Sequence, residues 1–96
     1  MHSEEIEFDD QKREETLLKR KIDMADAALV FAGATLTYVD DRYDYGEERF
    51  LTFGLLRGRM VLICWAERGN ARRIISMRKT NERETKAHRR SLGIGT

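Results

Sequence analysis

The sequence predicts an α+β domain: an antiparallel meander sheet with two N-terminal helices on one face and a further helix at the C-terminus. Three observations lead there. Segments 35–40, 48–56, 60–68 and 71–77 are rich in β-branched and apolar residues, and they are joined by the short linkers "DRYDYGE", "RG" and "GN". Linkers that short join antiparallel neighbours, because a parallel return needs a crossover of about a dozen residues or more. Ahead of these strands, apolar residues fall three and four apart, as on a helix face. After them, Asn81 with Glu84 three residues on reads as a capping box opening a last helix.

Taken in order, "IEFD" (6–9) alternates apolar and acidic residues and predicts a short edge strand. "DQKREETLLKRKI" (10–22) predicts a helix whose apolar stripe is Leu17, Leu18 and Ile22. Asp23 predicts the N-cap of a second helix, with Met24, Ala27, Ala28 and Phe31 at helical spacing and Gly33 at its end. Both helices have enough apolar surface to lie on a sheet, which leaves the sheet's other face more open. The last helix, 82–90, has Ala87 as its one apolar residue and should pack slightly. The whole chain, 1–96, reads as one domain, with 1–5 and 91–96 as frayed ends.

The formal net charge of +1 conceals an asymmetry. Residues 1–48 hold fourteen acids against six bases, a balance of −8, and residues 49–96 hold three acids against twelve bases, a balance of +9. A basic half of this kind implies a polyanionic partner. Catalytic patterns are sparse. His2 and His88 lie near opposite ends, no cluster has metal-ligand spacing, and the glycines form no phosphate-cradling loop. Ser76 has no base near it in sequence. No metal and no cofactor is therefore expected. The single cysteine, Cys64, sits in the apolar run "MVLICW" and reads as core. No stretch approaches the ~20 apolar residues of a membrane span, and the acidic N-terminus lacks a leader pattern, so the expected location is the cytoplasm.

Tight hairpins at "RG" and "GN" set a register. Leu56 then faces Arg59 and Arg68 faces Ala71, so Ala66 lies between Arg49 and Arg73 on one face, with Arg68 beside them. With strands ~4.8 Å apart, the two arginines would flank a gap of about 10 Å, wide enough for a phosphodiester. The opposite face would carry a Glu67–Arg72 ion pair. A bulge at Gly54 or Gly69 would swap faces for part of the meander. Lys79, Arg83, Lys86 and Arg90 recur at spacings of four, three and four, forming one cationic stripe on the last helix if that helix starts early enough. Such a stripe suits a nucleic-acid backbone, and it equally suits a solvated helix with pairs such as Glu82–Lys86. Trp65 and Tyr38 could stack on bases, although such residues are more often packed in a core, whereas Tyr43 and Tyr45 lie in a polar loop and are freer to do so.

The blocks "DDRYDYGEERFLTFG", "GRMVLICWAERG" and "RRIISMRKTNERE" resemble the BrnT toxins of the RelE/ParE-like superfamily, over residues 6–90. The resemblance implies a RelE-like fold and a bacterial type II toxin. Such a toxin is a metal-independent endoribonuclease that cuts RNA and inhibits translation. It also implies a cognate antitoxin with a ribbon-helix-helix domain, through which alone operator DNA would be reached. On that reading Arg49, Arg73 and Arg78 hold the phosphate, because arginine's fork donates two parallel hydrogen bonds and stays charged. Glu67 is the candidate for proton transfer and the Tyr43 hydroxyl a weaker one. Arg68, Lys79, Arg83, Lys86 and Arg90 would guide RNA. Two departures stand out. Lys19, Arg20 and Lys21 replace a Lys-His-Gly run, putting Lys21 at a left-handed cap position, and Asp40, Asp41, Arg42 and Tyr43 replace Asp-Pro-Arg-His. Neither family imidazole is present, so the alternative is a non-catalytic nucleic-acid-binding or antitoxin-docking module.

Overall fold

A computed structural model describes residues 5–93. The short strand β1 (Ile6–Glu7) leads into helix α1 (Asp10–Arg20), which Asp9 caps by accepting from the Gln11 amide at 3.3 Å. The helix ends at Lys21, whose φ of 59° and ψ of 34° are left-handed and whose N–H donates to Leu17 O at 3.1 Å. The expected stripe is corrected in part: Ile22, just past the helix, is buried at 3% exposure, but Leu17 and Leu18 are 45% and 74% exposed, and Thr16 is the residue α1 buries. Polar attachments hold this helix in place of an apolar stripe. Arg13 donates from Nε and Nη2 to Asp23 at 2.7 and 2.9 Å, and Arg20 Nη1 donates to the Met77 carbonyl at 3.2 Å.

The second helix is shorter than its periodicity suggests. Asp23 caps a 3₁₀ turn, Met24–Asp26, by accepting from the Ala25 amide at 2.9 Å, and α2 proper is Ala27–Phe31. Met24, Ala27 and Val30 are fully buried, while Ala28 faces out.

The meander follows as β2 (Thr35–Asp40), β3 (Arg49–Leu56), β4 (Arg59–Arg68) and β5 (Ala71–Lys79). Sheet order is β1-β5-β4-β3-β2, with β1 running parallel to β5 and every other pair antiparallel. At the β3–β4 turn Arg57 (φ 48°) and Gly58 (φ 82°) both take positive φ, the geometry that matches a two-residue loop to the strand twist. The ladder irregularity falls at neither Gly54 nor Gly69 but between Cys64 and Trp65, beyond which Cys64 pairs with Ser76 and Ile63 with Met77. Residues on the hairpin side of it keep the register read from the turns.

Side-chain alternation splits the core in two. Ile22, Met24, Ala27 and Val30 from the helical segment share one cluster with Leu56, Val61, Ile63, Trp65, Ile74 and Met77. Gly54 makes this possible, because a Cβ there would collide with Val30 Cγ1. Trp65 stacks on Phe50 at 4.7 Å and donates from Nε1 to Thr52 Oγ1 at 2.7 Å. A second cluster, Phe53, Met60, Leu62 and Leu92, lies on the alternate side chains of the same strands. Here α3 (Glu82–His88) packs more firmly than its one alanine suggests, because the His88 ring stacks on Phe53 at 3.9 Å. Leu92, expected in a frayed tail, is 4% exposed in this cluster; residues 1–4 and 94–96 lie outside the described residues.

Candidate functional site

On the α3 side of the sheet, one row of side chains crosses all five strands. Asp40 pairs with Arg49, Ala66 with Arg73, and Arg73 with Glu7. Arg49 stands opposite Ala66, since the next pair along is Phe50–Trp65. The Arg49–Ala66–Arg73 row inferred from the hairpins is therefore present. Ala66 is 1% exposed, a small floor between two long cations. Cys64 and Ser76 extend that floor by one pair towards α3. Burial pushes the Cys64 thiol above its ordinary range, so it stays protonated and unreactive.

The linker after β2 folds over the row's Asp40 end. The Asp40 side chain is 0% exposed, and it accepts from Arg42 Nε and Nη2 at 2.7 and 2.9 Å and from the Tyr45 hydroxyl at 3.2 Å. Arg42's bonds are the main reason its carboxyl falls to about 2. The Tyr45 ring in turn lies 3.9 Å beneath the Arg49 guanidinium, a cation–π contact. Arg49 also reaches Glu47 with a single long contact of 3.4 Å. Arg73 has no hydrogen-bond or ion-pair partner among the described residues, and Arg68 is exposed at the hairpin end of the same face.

Arg78 also lies on this face but is occupied. Its Nη1 and Nη2 donate to Glu84 at 2.9 and 2.8 Å, and this pairing is the main cause of the Glu84 carboxyl's fall to about 2. Glu67 is on the other side of the sheet, opposite Arg72, as the register required. The ion pair expected there does not form. Arg72 lies over Phe31 at 4.2 Å and Trp65 at 5.3 Å, because the electron-rich ring faces draw the guanidinium across the strand, and its buried Nε has no hydrogen-bond partner. Proton transfer by Glu67 on the Arg49–Arg73 face is thereby corrected.

The cationic stripe is corrected as well. Lys79 is the last residue of β5, paired with Val61, and Asn81 starts α3 only at Glu82. Arg90 follows the last helical residue, His88. Arg83 and Lys86 remain, both exposed on α3, with no Glu82–Lys86 ion pair among the described residues. Tyr43 is 71% exposed, Trp65 is core, and Tyr45 is not free to stack because Asp40 and Arg49 hold it.

Two residues of the row escaped sequence reasoning. Asp40 was legible as Arg49's partner once β2 and β3 were aligned, but its burial under Arg42 depends on the linker's path. Glu7 arrives beside Arg73 through a two-residue parallel pairing; the alternation of 6–9 signals the strand but not which neighbour it takes. It makes no ion pair with Arg73.

Among the described residues no group of three His, Cys, Asp or Glu could hold a metal ion, and no helix is long and apolar enough to cross a membrane. A family model described as the ribonuclease toxin, BrnT, of type II toxin–antitoxin systems matches residues 8–84, a span that holds Asp40, Arg49, Ala66 and Arg73. No curated protein matches the chain.

Proposed function

The chain belongs to the BrnT family of ribonuclease toxins of type II toxin–antitoxin systems, and from that premise we propose that RNA is cut on the arginine-bearing face of the sheet. A toxin of this type has a cognate antitoxin as its partner. One observation carries the proposal: Arg49 and Arg73 flank the buried Ala66, and neither is locked by a short carboxylate contact.

The chemistry suits them. In RNA the 2′-oxygen bonds to the adjacent phosphorus as the bond from phosphorus to the 5′-oxygen breaks. The 2′-hydroxyl proton passes to a base and the 5′-oxygen takes up a proton, leaving a 2′,3′-cyclic phosphate and a 5′-hydroxyl. Negative charge grows on the phosphoryl oxygens along the way. The two guanidiniums stabilise that charge where it develops, and they position the linkage for in-line attack. Arginines doing this work make the reaction metal-independent, and cutting should continue in EDTA.

With Glu67 across the sheet, Glu7 becomes the group assigned to proton transfer, through its place beside Arg73. Asp40 and Glu84 are poor bases at neutral pH, since arginines hold their carboxyls at about 2. Arg78 serves the site by fastening α3 through Glu84. Arg68, Arg83 and Lys86 guide the strand. Cutting RNA in this way inhibits translation, an activity that suits a cytoplasmic toxin built as a single RelE-like domain. Its antitoxin would carry the ribbon-helix-helix domain that reaches operator DNA.

The test is cleavage of a short RNA by purified chain with EDTA present. The Arg49→Ala, Arg73→Ala double variant should cut at least ~100-fold more slowly, and Glu7→Gln should lower kcat with little change in KM. Undiminished cutting by the double variant removes these arginines from the site. Binding without cutting by the unaltered chain would instead favour a nucleic-acid-binding or antitoxin-docking module. The absence of both family imidazoles, at Arg20 and Tyr43, favours that second reading.

A further inference from the structure

We infer that Asp40 is a positioning residue for this site and that Arg42, which it holds, is an additional ligand of the RNA phosphate. The inference rests on the reading of the face given above and extends it from the sheet to the linker after β2.

The geometry is a chain of fixed contacts. Asp40 is fully enclosed and sits in the row beside Arg49. Its two oxygens take the Nε–Nη2 edge of Arg42, the Arg42 amide at 3.3 Å, and the Tyr45 hydroxyl. A carboxylate with that many bonds has one orientation left to it, and so have the groups bonded to it. A guanidinium has five N–H donors. Asp40 engages one edge of Arg42, leaving Nη1 uncommitted on a side chain that is 60% exposed. Tyr45 passes the constraint on: its hydroxyl is on Asp40 and its ring is under Arg49. Arg42 and Arg49 are thus tied to one unit, the first through its bonds to Asp40 and the second through the Tyr45 ring. Asp40 cannot itself touch the anion, but two of the anion's ligands are oriented through it.

Mere stapling of the linker would stabilise the fold without touching RNA, so the experiment must separate the two roles. Single-turnover cleavage of a short single-stranded RNA and its binding as a function of salt are measured for the purified chain and three variants. Arg42→Ala, at an exposed side chain, should cut about 10–100-fold more slowly. The slope of log affinity against log salt should fall by about 0.7, one phosphate contact on a single strand. Added guanidinium ion should recover part of the rate. Asp40→Asn should show a comparable loss of rate with the salt slope unchanged, because both cations remain and only their aim is lost. Tyr45→Phe, which keeps the ring under Arg49, should lose less. The Asp40→Asn, Arg42→Ala double variant should lose less than the two single losses multiplied together, since Asp40 acts partly through Arg42, and what it loses beyond Arg42→Ala is the aim of Arg49 through Tyr45.

Wild-type cutting together with a wild-type salt slope in Arg42→Ala overturns the inference. A rate loss in Asp40→Asn that only tracks its unfolded fraction does the same. Should Asp40→Asn fail to fold, Arg42→Ala and Tyr45→Phe decide, and unchanged rates in both refute the proposal. Cutting that survives the Arg49→Ala, Arg73→Ala change fails the parent reading, whatever Arg42→Ala does.

Discussion

At Lys21 the chain leaves α1 with φ 59° and ψ 34°, a conformation in which Cβ crowds the following carbonyl oxygen. Its side chain is exposed, so nothing tertiary repays that crowding. Lys21→Gly should raise stability by up to about 1 kcal/mol, less the extra freedom glycine has in the unfolded chain. A thermal melt checks it, with an upward shift of a few degrees expected for a domain of this size. Gly54 poses the reverse problem. Its missing Cβ admits Val30 Cγ1, and Gly54→Ala should cost about 1–3 kcal/mol as α2 is forced off β3. The two glycine arguments differ in what sequence shows of them. A cap position is visible from the end of a helix, but a close approach between α2 and β3 belongs to residues twenty-four apart.

At the scale of elements, α3 is the case where local chemistry and tertiary contact share residues. The capping box is complete: Asn81 accepts from the Glu84 amide at 2.8 Å, and the Glu84 carboxylate accepts from the Asn81 amide at 2.9 Å. The same carboxylate takes Arg78. Asn81→Ala should cost about 1 kcal/mol. Glu84→Ala should cost more, because it also leaves Arg78 without its partner, and the two losses should add incompletely because they share one motif. Chemical denaturation of the two single variants and the double variant measures this. The box was readable from "NERE"; the placement of α3 on Phe53 through His88 and Leu92 was not, since neither residue forms an apolar stripe. The cap also explains why Lys79 left the stripe. A helix that must begin after Asn81 cannot include a residue in β5.

Across the whole molecule, ion pairs do little to cancel the charge asymmetry. Of the five ion pairs described, two join a base of the second half to an acid of the first, Arg57–Asp26 and the neighbours Arg49–Glu47. The basic half keeps most of its charge for a polyanion, and RNA affinity should fall steeply with salt, by about 0.7 log units per phosphate contacted for each tenfold rise in salt. Stability should depend on pH with a definite sign. Asp23, Asp40 and Glu84 have carboxyls at about 2 in the fold, held down chiefly by bonds from Arg13, Arg42 and Arg78, against ordinary values of 3.8, 3.8 and 4.5. Lowered folded values mean stabilisation that is full above about pH 4.5 and lost as pH falls towards 2. Melting temperatures should therefore hold steady from neutral pH down to about 5 and then drop. A melt series that stays flat to pH 2 would contradict the three pairs.

Strand limits, hairpin register and helix caps follow from residues close together in the chain, where a two-residue turn leaves only one way to pair its strands. That logic brought Arg49, Ala66 and Arg73 into line from sequence alone. Tertiary structure decided the partners that lie far off in the chain: Arg72 went to the rings of Phe31 and Trp65, Arg20 to the Met77 carbonyl, and Arg57 to Asp26. It also laid β1 against β5, bringing Glu7 beside Arg73. A long cationic side chain has several acceptable partners within reach, and only the packed arrangement of distant segments selects among them.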